Sequence, residues 1–240
     1  MARKDKYAYQ IRSLRVSGAV GTTADYILHK VRREALTQFF SKKNILYLEG
    51  LIADKVSQLE QKIATHAASK TPINLSDLFL AFSNDVVTHF LFAHQTDILS
   101  DEQKAATIRH YSKELMMGIK HNKHFPQVPD FLESLPMSIS RPIMPPGHID
   151  MLSLFERVRN EVLAIMRAKE SGITSNNPSL PSSEKTLVRL EQAGALLALA
   201  GTESPAQTLN IIFYHFTANP TLLKKLRNEL HTVPASASWT

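Results

Sequence analysis

The sequence predicts an all-α protein, and three observations carry that prediction. Apolar residues recur at helical spacing along most of the 240 residues. No run keeps the period-two alternation of a half-buried strand. The longest apolar, helix-favouring run extends from Leu187 to Ala218. At 1.5 Å per residue this run predicts one helix of about 45 Å, around which we expect the rest of the chain to be organised.

The amino-terminal part is expected to be a loop followed by helices. Residues 1–21 are basic and aromatic and end in Ser-Gly-Ala-Val-Gly, which is typical of a loop. A first helix should begin near a cap at Thr22, Thr23 or Asp25, and Ser76 is the expected cap of a later one. The helical patterns within residues 22–169 cover 26–40, 45–68, 77–93, 101–120 and 150–169.

Proline and polar residues mark the connections between the later elements. Residues 121–147 contain six prolines and predict a loop with short helical pieces. Residues 170–186 form a polar linker before the central helix, 187–218. Pro220 fits the first position of a following helix, 219–231, and residues 232–240 are a short polar tail.

Composition excludes several classes of function. The formal charge of +6 rests on scattered Lys and Arg, so nucleic-acid binding is not predicted. The absence of cysteine excludes disulfides, thiolate ligands and a cysteine nucleophile. The segment Met-Ala-Arg-Lys-Asp-Lys-Tyr-Ala-Tyr-Gln at the start has no apolar core, so neither a signal peptide nor a membrane anchor is expected. A cytoplasmic location is the default.

The histidines do not predict a metal site. His121 and His124 are three residues apart but lie beside prolines, and no carboxylate cluster accompanies them. His89 and His94 are five apart, which places them on different faces of a helix. Surface or core roles are the simpler interpretation, and we expect no protein ligand to a metal.

Irregular features interrupt the middle of the central run. Pro205 lacks an N–H, and its ring crowds the carbonyl of Gly201 four residues earlier. Glu203 and Ser204 place a carboxylate and a hydroxyl next to that turn. A kinked core helix is the simplest interpretation of the pattern taken alone.

The five residues from Ala200 to Ser204, Ala-Gly-Thr-Glu-Ser, resemble the oxygen-activation motif of the cytochrome P450 monooxygenases, Ala/Gly-Gly-x-Asp/Glu-Thr. The segment 219–230 looks like the helix that follows this motif in the family. His29-Lys-Val-Arg-Arg33 looks like the early heme-flanking helix in its fungal form. Residues 83–93 and Ile-Met-Pro-Pro-Gly at 143–147 also occur in the expected order. The resemblance spans most of the chain and is strongest to the branch of fungal secondary metabolite biosynthesis.

The resemblance implies roles for residues of the central helix. Ala200 and Gly201 would let heme and dioxygen approach the backbone closely. Glu203 would occupy the position of the acid that delivers protons. Ser204 stands where the family usually has Thr, keeping the hydroxyl that donates to bound oxygen but losing the methyl group that fixes its rotamer.

The same resemblance assigns a binding role to the first helix. His29 and Arg33 match the pair that meets the heme propionates, with the cation adding charge-assisted hydrogen bonds. Without heme, the two residues would be an exposed basic face of that helix.

One family feature has no counterpart in this sequence. The heme iron of the family is bound by a cysteine thiolate, and this chain contains no cysteine. Residues 1–240 therefore resemble a single partial domain, truncated before the proximal helices and the ligand loop. We expect the chain alone to be inactive and not to bind heme stably.

A complete member of the family would hydroxylate or epoxidise a small apolar metabolite with electrons from an NADPH-dependent reductase, usually anchored to the endoplasmic reticulum. Substrate contacts are expected around residues 121–147. The alternative hypothesis is a non-catalytic all-α protein that retains the scaffold to bind a ligand or a partner. Without the missing helices, apolar surface would face water, so we also expect poor stability or aggregation.

Overall fold

A computed structural model describes residues 4–37, 39–93, 96–140, 142–144, 146–170 and 181–234. No strand occurs in these ranges, which confirms the all-α prediction. The helices are α1 (Ala8–Ile11), α2 (Tyr26–Thr37), α3 (Lys42–Leu46), α4 (Glu49–Ser69), α5 (Leu75–Phe92), α6 (Glu102–His124), α7 (Gln127–Ser134), α8 (Met137–Ser140), α9 (Pro146–Glu170), α10 (Leu187–Ala218) and α11 (Pro220–Leu230). Short 3-10 turns cover Arg12–Leu14, Val20–Thr22, Ile98–Ser100 and Ser182–Glu184.

The central helix α10 has the bounds expected from the sequence, and side chains cap both its start and that of α11. The hydroxyl of Thr186 accepts the N–H of Arg189 at 3.4 Å at the start of α10. The amide oxygen of Asn219 accepts the N–H of Leu222 at 3.1 Å, and Pro220 occupies the first turn of α11. Asn219 is therefore the single residue that separates α10 from α11.

The cap of α2 is Asp25, whose carboxylate accepts the N–H of Leu28 at 2.6 Å. Thr23 instead donates to the carbonyl of Ala19 at 2.8 Å. The expected cap at Ser76 is wrong, because the side chain of Asn74 accepts the Ser76 N–H at 3.1 Å. Several short polar side chains near a helix start can accept the same free N–H groups. The sequence therefore limits the capping residue to a few candidates but does not decide among them.

Other elements differ from the sequence prediction at their ends. The helix expected over 45–68 is divided, because α3 ends at Leu46 and α4 begins at Glu49. Gly50, a weak helix former, lies in the first turn of α4. Helix α6 extends to His124, beyond the expected end, because Pro126 restricts only the residue immediately before it. Part of the predicted 1–21 loop is helical, and most of the predicted linker lies outside the described residues.

The core forms where α5 packs along α10. Leu78, Phe79 and Leu80 of α5 are at most 1% exposed. They pack in one cluster with apolar residues of α4, α6, α10 and the turn Ile98–Ser100. A second cluster joins Val158 of α9 to Ala195 of α10. The central helix is therefore held on two sides, by α5 and by α9.

A buried ionic cluster fastens α4 and the turn Ile98–Ser100 to α5. The Asp85 side chain is 1% exposed, and its carboxylate lies 3.2 Å from the Lys55 ammonium. It also accepts the backbone N–H groups of Ile98 and Leu99 at 2.8 and 3.0 Å. Burial opposes the charge on Lys55, but hydrogen bonds to Asp97 and Asp85 outweigh it and raise the pKa of Lys55. Every charge in this cluster has a partner, as burial requires.

No helix among the described residues is long and apolar enough to cross a membrane.

Candidate functional site

The middle of α10 remains helical through Pro205, which is exposed. Pro205 has no N–H to bond the Gly201 carbonyl, so that carbonyl lacks the partner which an ordinary helix supplies. The irregularity that the sequence indicates is therefore a missing hydrogen bond inside a continuous helix. It lies beside the carboxylate of Glu203 and the hydroxyl of Ser204.

At Gly201, the backbone of α10 packs directly against Val87 of α5. A Cβ atom added to Gly201 would overlap Cγ2 of Val87 and lie 3.2 Å from its Cβ. The absent side chain therefore lets the two helices pack closely. The open surface of the motif lies on the neighbouring residues instead.

Ala200 and Ser204 form that open surface. Both are exposed, and because they are four residues apart they share one face of the helix. The backbone carbonyl of Ser204 accepts the Thr208 hydroxyl at 2.9 Å, and Ile211 continues the exposed face one turn further. A small side chain followed by a hydroxyl on an open face leaves room for a flat group to lie against the helix.

Thr202 faces the interior, on the other side of the helix. It is 5% exposed, and its hydroxyl accepts a hydrogen bond from the amide of Asn84 at 3.2 Å. This contact, together with Gly201 against Val87, fixes how α10 is rotated about its axis. The rotation holds Ala200 and Ser204 outward.

Glu203 is half-buried beside a cavity between α6, α9 and α10. Its Oε1 is buried and has no hydrogen-bond partner among the described residues. Burial raises the pKa of the Glu203 carboxyl above its ordinary value of 4.5, and the positive charge of Arg109 opposes that rise. A carboxyl of this kind retains its proton to a higher pH than an exposed one.

His29 and Arg33 lie one turn apart on α2, as expected, and no hydrogen bond or ion pair among the described residues joins their side chains to α10. His29 is half-buried and Arg33 is exposed. Burial lowers the pKa of His29, and the charges of Lys6 and Arg33 lower it further. A basic face of this kind suits an acidic group, since anionic partners would relieve the repulsion.

Between these two residues lies a buried one that the sequence did not single out. Arg32 donates to Glu184 from Nε at 2.7 Å and from Nη2 at 3.2 Å. Arg189, in the first turn of α10, donates to the same carboxylate at 3.2 Å. Glu184 thus clamps α2 to the start of α10. Its place within a polar linker gave no signal of that role.

The segment 16–23 fills the space between α2 and α10. Arg32 donates to the carbonyl of Ser17 at 2.9 Å and to the hydroxyl of Thr23 at 2.8 Å. The backbone N–H of Gly18 donates to the side chain of Gln192 at 2.7 Å. The helix with the basic pair and the helix with the Ala-Gly-Thr-Glu-Ser motif are therefore parts of one hydrogen-bonded assembly.

The residues present fit a heme, the cofactor that the resemblance implies. Ala200 and Ser204 offer a small, open helix face, and Arg33 offers an exposed guanidinium for a carboxylate. The sequence contains no cysteine, so these residues supply no thiolate to an iron atom.

An all-α fold whose central helix carries a hydroxyl next to a half-buried acid agrees with the heme monooxygenase class that the sequence resembles. The chain belongs to the cytochrome P450 family, whose sequence model matches residues 8–238.

The chain is also similar to curated fungal proteins. It is 29% identical to the cytochrome P450 monooxygenase TRI4 of Trichoderma arundinaceum, over 92% of this chain and 44% of that protein. It is 25% identical to the cytochrome P450 monooxygenase SAT11 of Stachybotrys chartarum, over 99% of this chain and 46% of that protein. It is 28% identical to the conidiogenone synthase PchP450 of Penicillium rubens, over 99% of this chain and 49% of that protein. The chain spans about half the length of the curated relatives that it matches.

Proposed function

We propose that the chain forms the oxygen-activating, distal side of a cytochrome P450 monooxygenase that oxidises a small apolar metabolite in fungal secondary metabolism. The observation that carries this proposal is the placement of Ala200 and Ser204 on one open face of α10, next to the half-buried carboxyl of Glu203. The family membership and the fungal relatives support it.

The roles of the α10 residues follow from their exposure. Heme, when bound, supplies the iron at which dioxygen is activated. Ala200 leaves space for the macrocycle, and the hydroxyl of Ser204 donates a hydrogen bond on that face. Glu203 holds a proton close to the same turn, because burial raises the pKa of its carboxyl. Glu203, half-buried and next to Ser204 in the sequence, would then supply protons to that face.

On α2, His29 and Arg33 would orient the heme through its propionates. Arg33 supplies a permanent charge, while the lowered pKa of His29 keeps its imidazole neutral to a lower pH than usual. The clamp of Arg32 and Glu184 holds α2 against the segment that leads into α10. We infer that this clamp sets the orientation of the basic face.

The 240 residues by themselves are proposed to have no monooxygenase activity and no stable heme site, because they contain no cysteine to bind iron as a thiolate. Activity would need a thiolate-bearing segment and electrons from a partner such as an NADPH-dependent reductase. The apolar side chains of Leu14, Val16 and Leu115 meet near α10, which supports an apolar substrate.

Heme titration tests the part of the proposal that concerns this chain alone. Weak binding without the carbon monoxide spectrum of a thiolate-bound iron is expected. Arg33→Ala should weaken binding further, whereas Lys30→Ala, an exposed residue on the same helix, should not. A thiolate-type spectrum from these 240 residues would overturn the proposed inactivity.

A chimera tests the catalytic role. This chain would replace the matching half of TRI4 of Trichoderma arundinaceum, and both oxidation of the TRI4 substrate and hydrogen peroxide release would be measured. Ser204→Ala should release more peroxide for each NADPH consumed, because the hydroxyl at the open face is lost. An unchanged ratio in a folded, heme-loaded chimera would refute the role of Ser204.

A further inference from the structure

Two cavities adjoin each other beside α10. The first, of about 260 Å³, lies between α6, α9 and α10. The second, of about 410 Å³, lies between α5, α9 and the start of α6. The cavities meet at the residues that line both of them, which are Asn84, Lys104, Leu154, Arg157 and Ala198.

The first cavity lies on the side of α10 away from the open face assigned to heme. Thr202 lines this cavity. Because Thr202 is two residues from both Ala200 and Ser204, its side chain points about 160° away from each of them around the helix. A ligand in this cavity would therefore not compete with heme for that face.

Two cations lie where the cavities meet. Lys104, in the first turn of α6, and Arg157 of α9 are both exposed. Neither side chain forms a hydrogen bond or an ion pair with the residues that the structure describes. Asp97 is close enough to Lys104 for that charge to lower its pKa, but the Asp97 carboxylate is paired with Lys55 at 3.0 Å. Two cations on different helices with no paired acid favour an anion between them.

The acidic residues that line the cavities are not placed at this junction. Glu203 lines only the first cavity and Glu161 lines only the second. Glu203 is half-buried, its Oε1 is enclosed, and the positive charge of Arg109 acts on it. Positive charge is therefore concentrated where the cavities meet, whereas each negative charge belongs to one cavity.

The wall of the first cavity is mainly apolar. Ile108 and Leu115 of α6 line it together with Leu154 of α9 and Leu199 of α10. Placing an apolar tail among these side chains removes it from water, which favours binding with each added methylene group. A methylene group is about as large as a water molecule, which takes up about 30 Å³ in the liquid, so the cavity has room for about eight.

We propose that the two cavities form a binding site for a monocarboxylate with an apolar tail of about eight carbon atoms. Its carboxylate lies between Lys104 and Arg157, where the cavities meet. Its tail lies among Ile108, Leu154 and Leu199. The guanidinium of Arg157 can donate two parallel hydrogen bonds to the carboxylate, and Lys104 adds a second positive charge.

This site goes beyond the proposed monooxygenase function and does not depend on it. Its lining belongs to helices of this chain, and no heme contact enters the argument.

Ligands of equal chain length and different charge provide the first test. The 240-residue chain is titrated with octanoate, 1-octanol and octylammonium by isothermal titration calorimetry. We expect octanoate to bind at least about tenfold more tightly than 1-octanol, and octylammonium to bind most weakly. Raising the NaCl concentration from about 0.05 M to about 0.5 M should weaken octanoate binding but not 1-octanol binding. Equal affinities for octanoate and 1-octanol would overturn the proposal.

A shorter acid tests whether the tail is bound. Butyrate carries the same charge as octanoate but has four fewer methylene groups. We expect it to bind at least about tenfold more weakly, because less apolar surface leaves water. Equal affinities for butyrate and octanoate would show that the anion binds at the surface, and would refute the role of the apolar cavity.

Variants locate the carboxylate. Lys104→Gln and Arg157→Gln should each weaken octanoate binding by about threefold or more, and the double variant by about tenfold or more, whereas 1-octanol should change by less than about twofold. The control is Lys113→Gln, which removes the same charge from an exposed residue of α6 that lines neither cavity. It should leave octanoate binding within about twofold of the wild type. An equal loss in the control would show that octanoate responds only to net charge, and would refute the site.

The outcome is separate from that of the heme experiments. The substituted residues are exposed, and far-UV circular dichroism confirms that each variant retains its helices. Octanoate binding that depends on Lys104 and Arg157 supports this site whether or not the chain binds heme.

Discussion

Arg32 and Glu184 lie 152 positions apart in the sequence and form a two-pronged ion pair, with nitrogen–oxygen distances of 2.7 and 3.2 Å. Their side chains are only 8% and 12% exposed. Because Arg189 shares the carboxylate, one acid neutralises two guanidinium groups. The clamp joins the helix that carries His29 and Arg33 to the helix that carries the Ala-Gly-Thr-Glu-Ser motif.

Removing the charge of Glu184 should destabilise the chain strongly. Glu184→Gln leaves Arg32 and Arg189 buried without a counter-charge, which costs about 3 kcal/mol in comparable buried pairs. Urea unfolding, followed by circular dichroism, measures the change. The control is Glu34→Gln, which removes an exposed pair with Lys30 and should change the free energy of unfolding by less than about 0.5 kcal/mol. Equal changes in the free energy of unfolding for the two variants would contradict a stabilising role for the ion pairs of Glu184.

The same clamp predicts a loss of stability in acid. The hydrogen bond from Arg32 holds the pKa of Glu184 below its ordinary value of 4.5, despite the opposing effect of burial. The folded state then binds fewer protons than the unfolded state, so the contribution is complete above pH 4.5 and is lost as the pH falls through the folded pKa. Wild type and Glu184→Gln should converge in stability as the pH falls from about 6 to about 3. A constant difference would show that the carboxylate charge is not responsible.

Glu203 should make the stability of the chain depend on pH in the opposite direction to Glu184. Burial raises its pKa in the folded state, so the folded chain binds more protons than the unfolded chain between pH 4.5 and the raised value. Stability therefore falls as the pH rises through that interval. Glu203→Gln should remove this fall and be more stable than the wild type at neutral pH. Glu229→Gln, on the exposed surface of α11, serves as the control and should show the wild-type profile.

Gly201 should tolerate no side chain. A Cβ atom there overlaps Val87, whose β-branched side chain has little freedom to move, so Gly201→Ala should cost about 1–3 kcal/mol. Gly118, within α6, has nothing within 4 Å of its added Cβ, and Gly118→Ala should stabilise by about 0.5–1 kcal/mol. Both changes are measured by thermal or urea unfolding.

A second substitution separates overlap from any other effect of Gly201→Ala. Val87→Ala removes Cγ2, the atom that the new Cβ would overlap, and leaves only the Cβ at 3.2 Å, so the double variant should be less destabilised than the sum of the two single variants. Simple additivity would mean that the close contact of α5 with α10 is not the cause.

The fold class and the middle of α10 were predictable because the sequence patterns that indicate them lie within short stretches of the chain. Helical spacing, the caps near Asp25 and Asn219 and the pair Glu203–Ser204 are all contained within short windows of sequence. The division between α3 and α4 and the true end of α6 depend on weaker local preferences. They were not predicted correctly.

The contacts that hold the site in place were not predictable, because they join distant residues. Nothing in the sequence around Glu184 indicates that Arg32 lies opposite it. The packing of Gly201 against Val87 and the buried oxygen of Ser112 likewise arise only when α5, α6 and α10 are brought together. The sequence resemblance predicts which groups carry the chemistry, and those roles stay predictions. The structure supplies the reason that Ser204 faces outward while Glu203 faces a cavity.

The exposed apolar face of α10 and α11 leads to the last prediction, that the 240-residue chain associates with itself. Ile211 and Tyr214 are 50% and 69% exposed, and Leu230 of α11 is 59% exposed. Exposed apolar side chains of this kind favour association in water. Sedimentation velocity should therefore show oligomers that grow with concentration. Replacing both Ile211 and Tyr214 by Lys should reduce them, whereas Val56→Lys on α4 should not. A wild-type chain that remains monomeric and melts cooperatively would contradict both this prediction and the poor stability expected from the sequence.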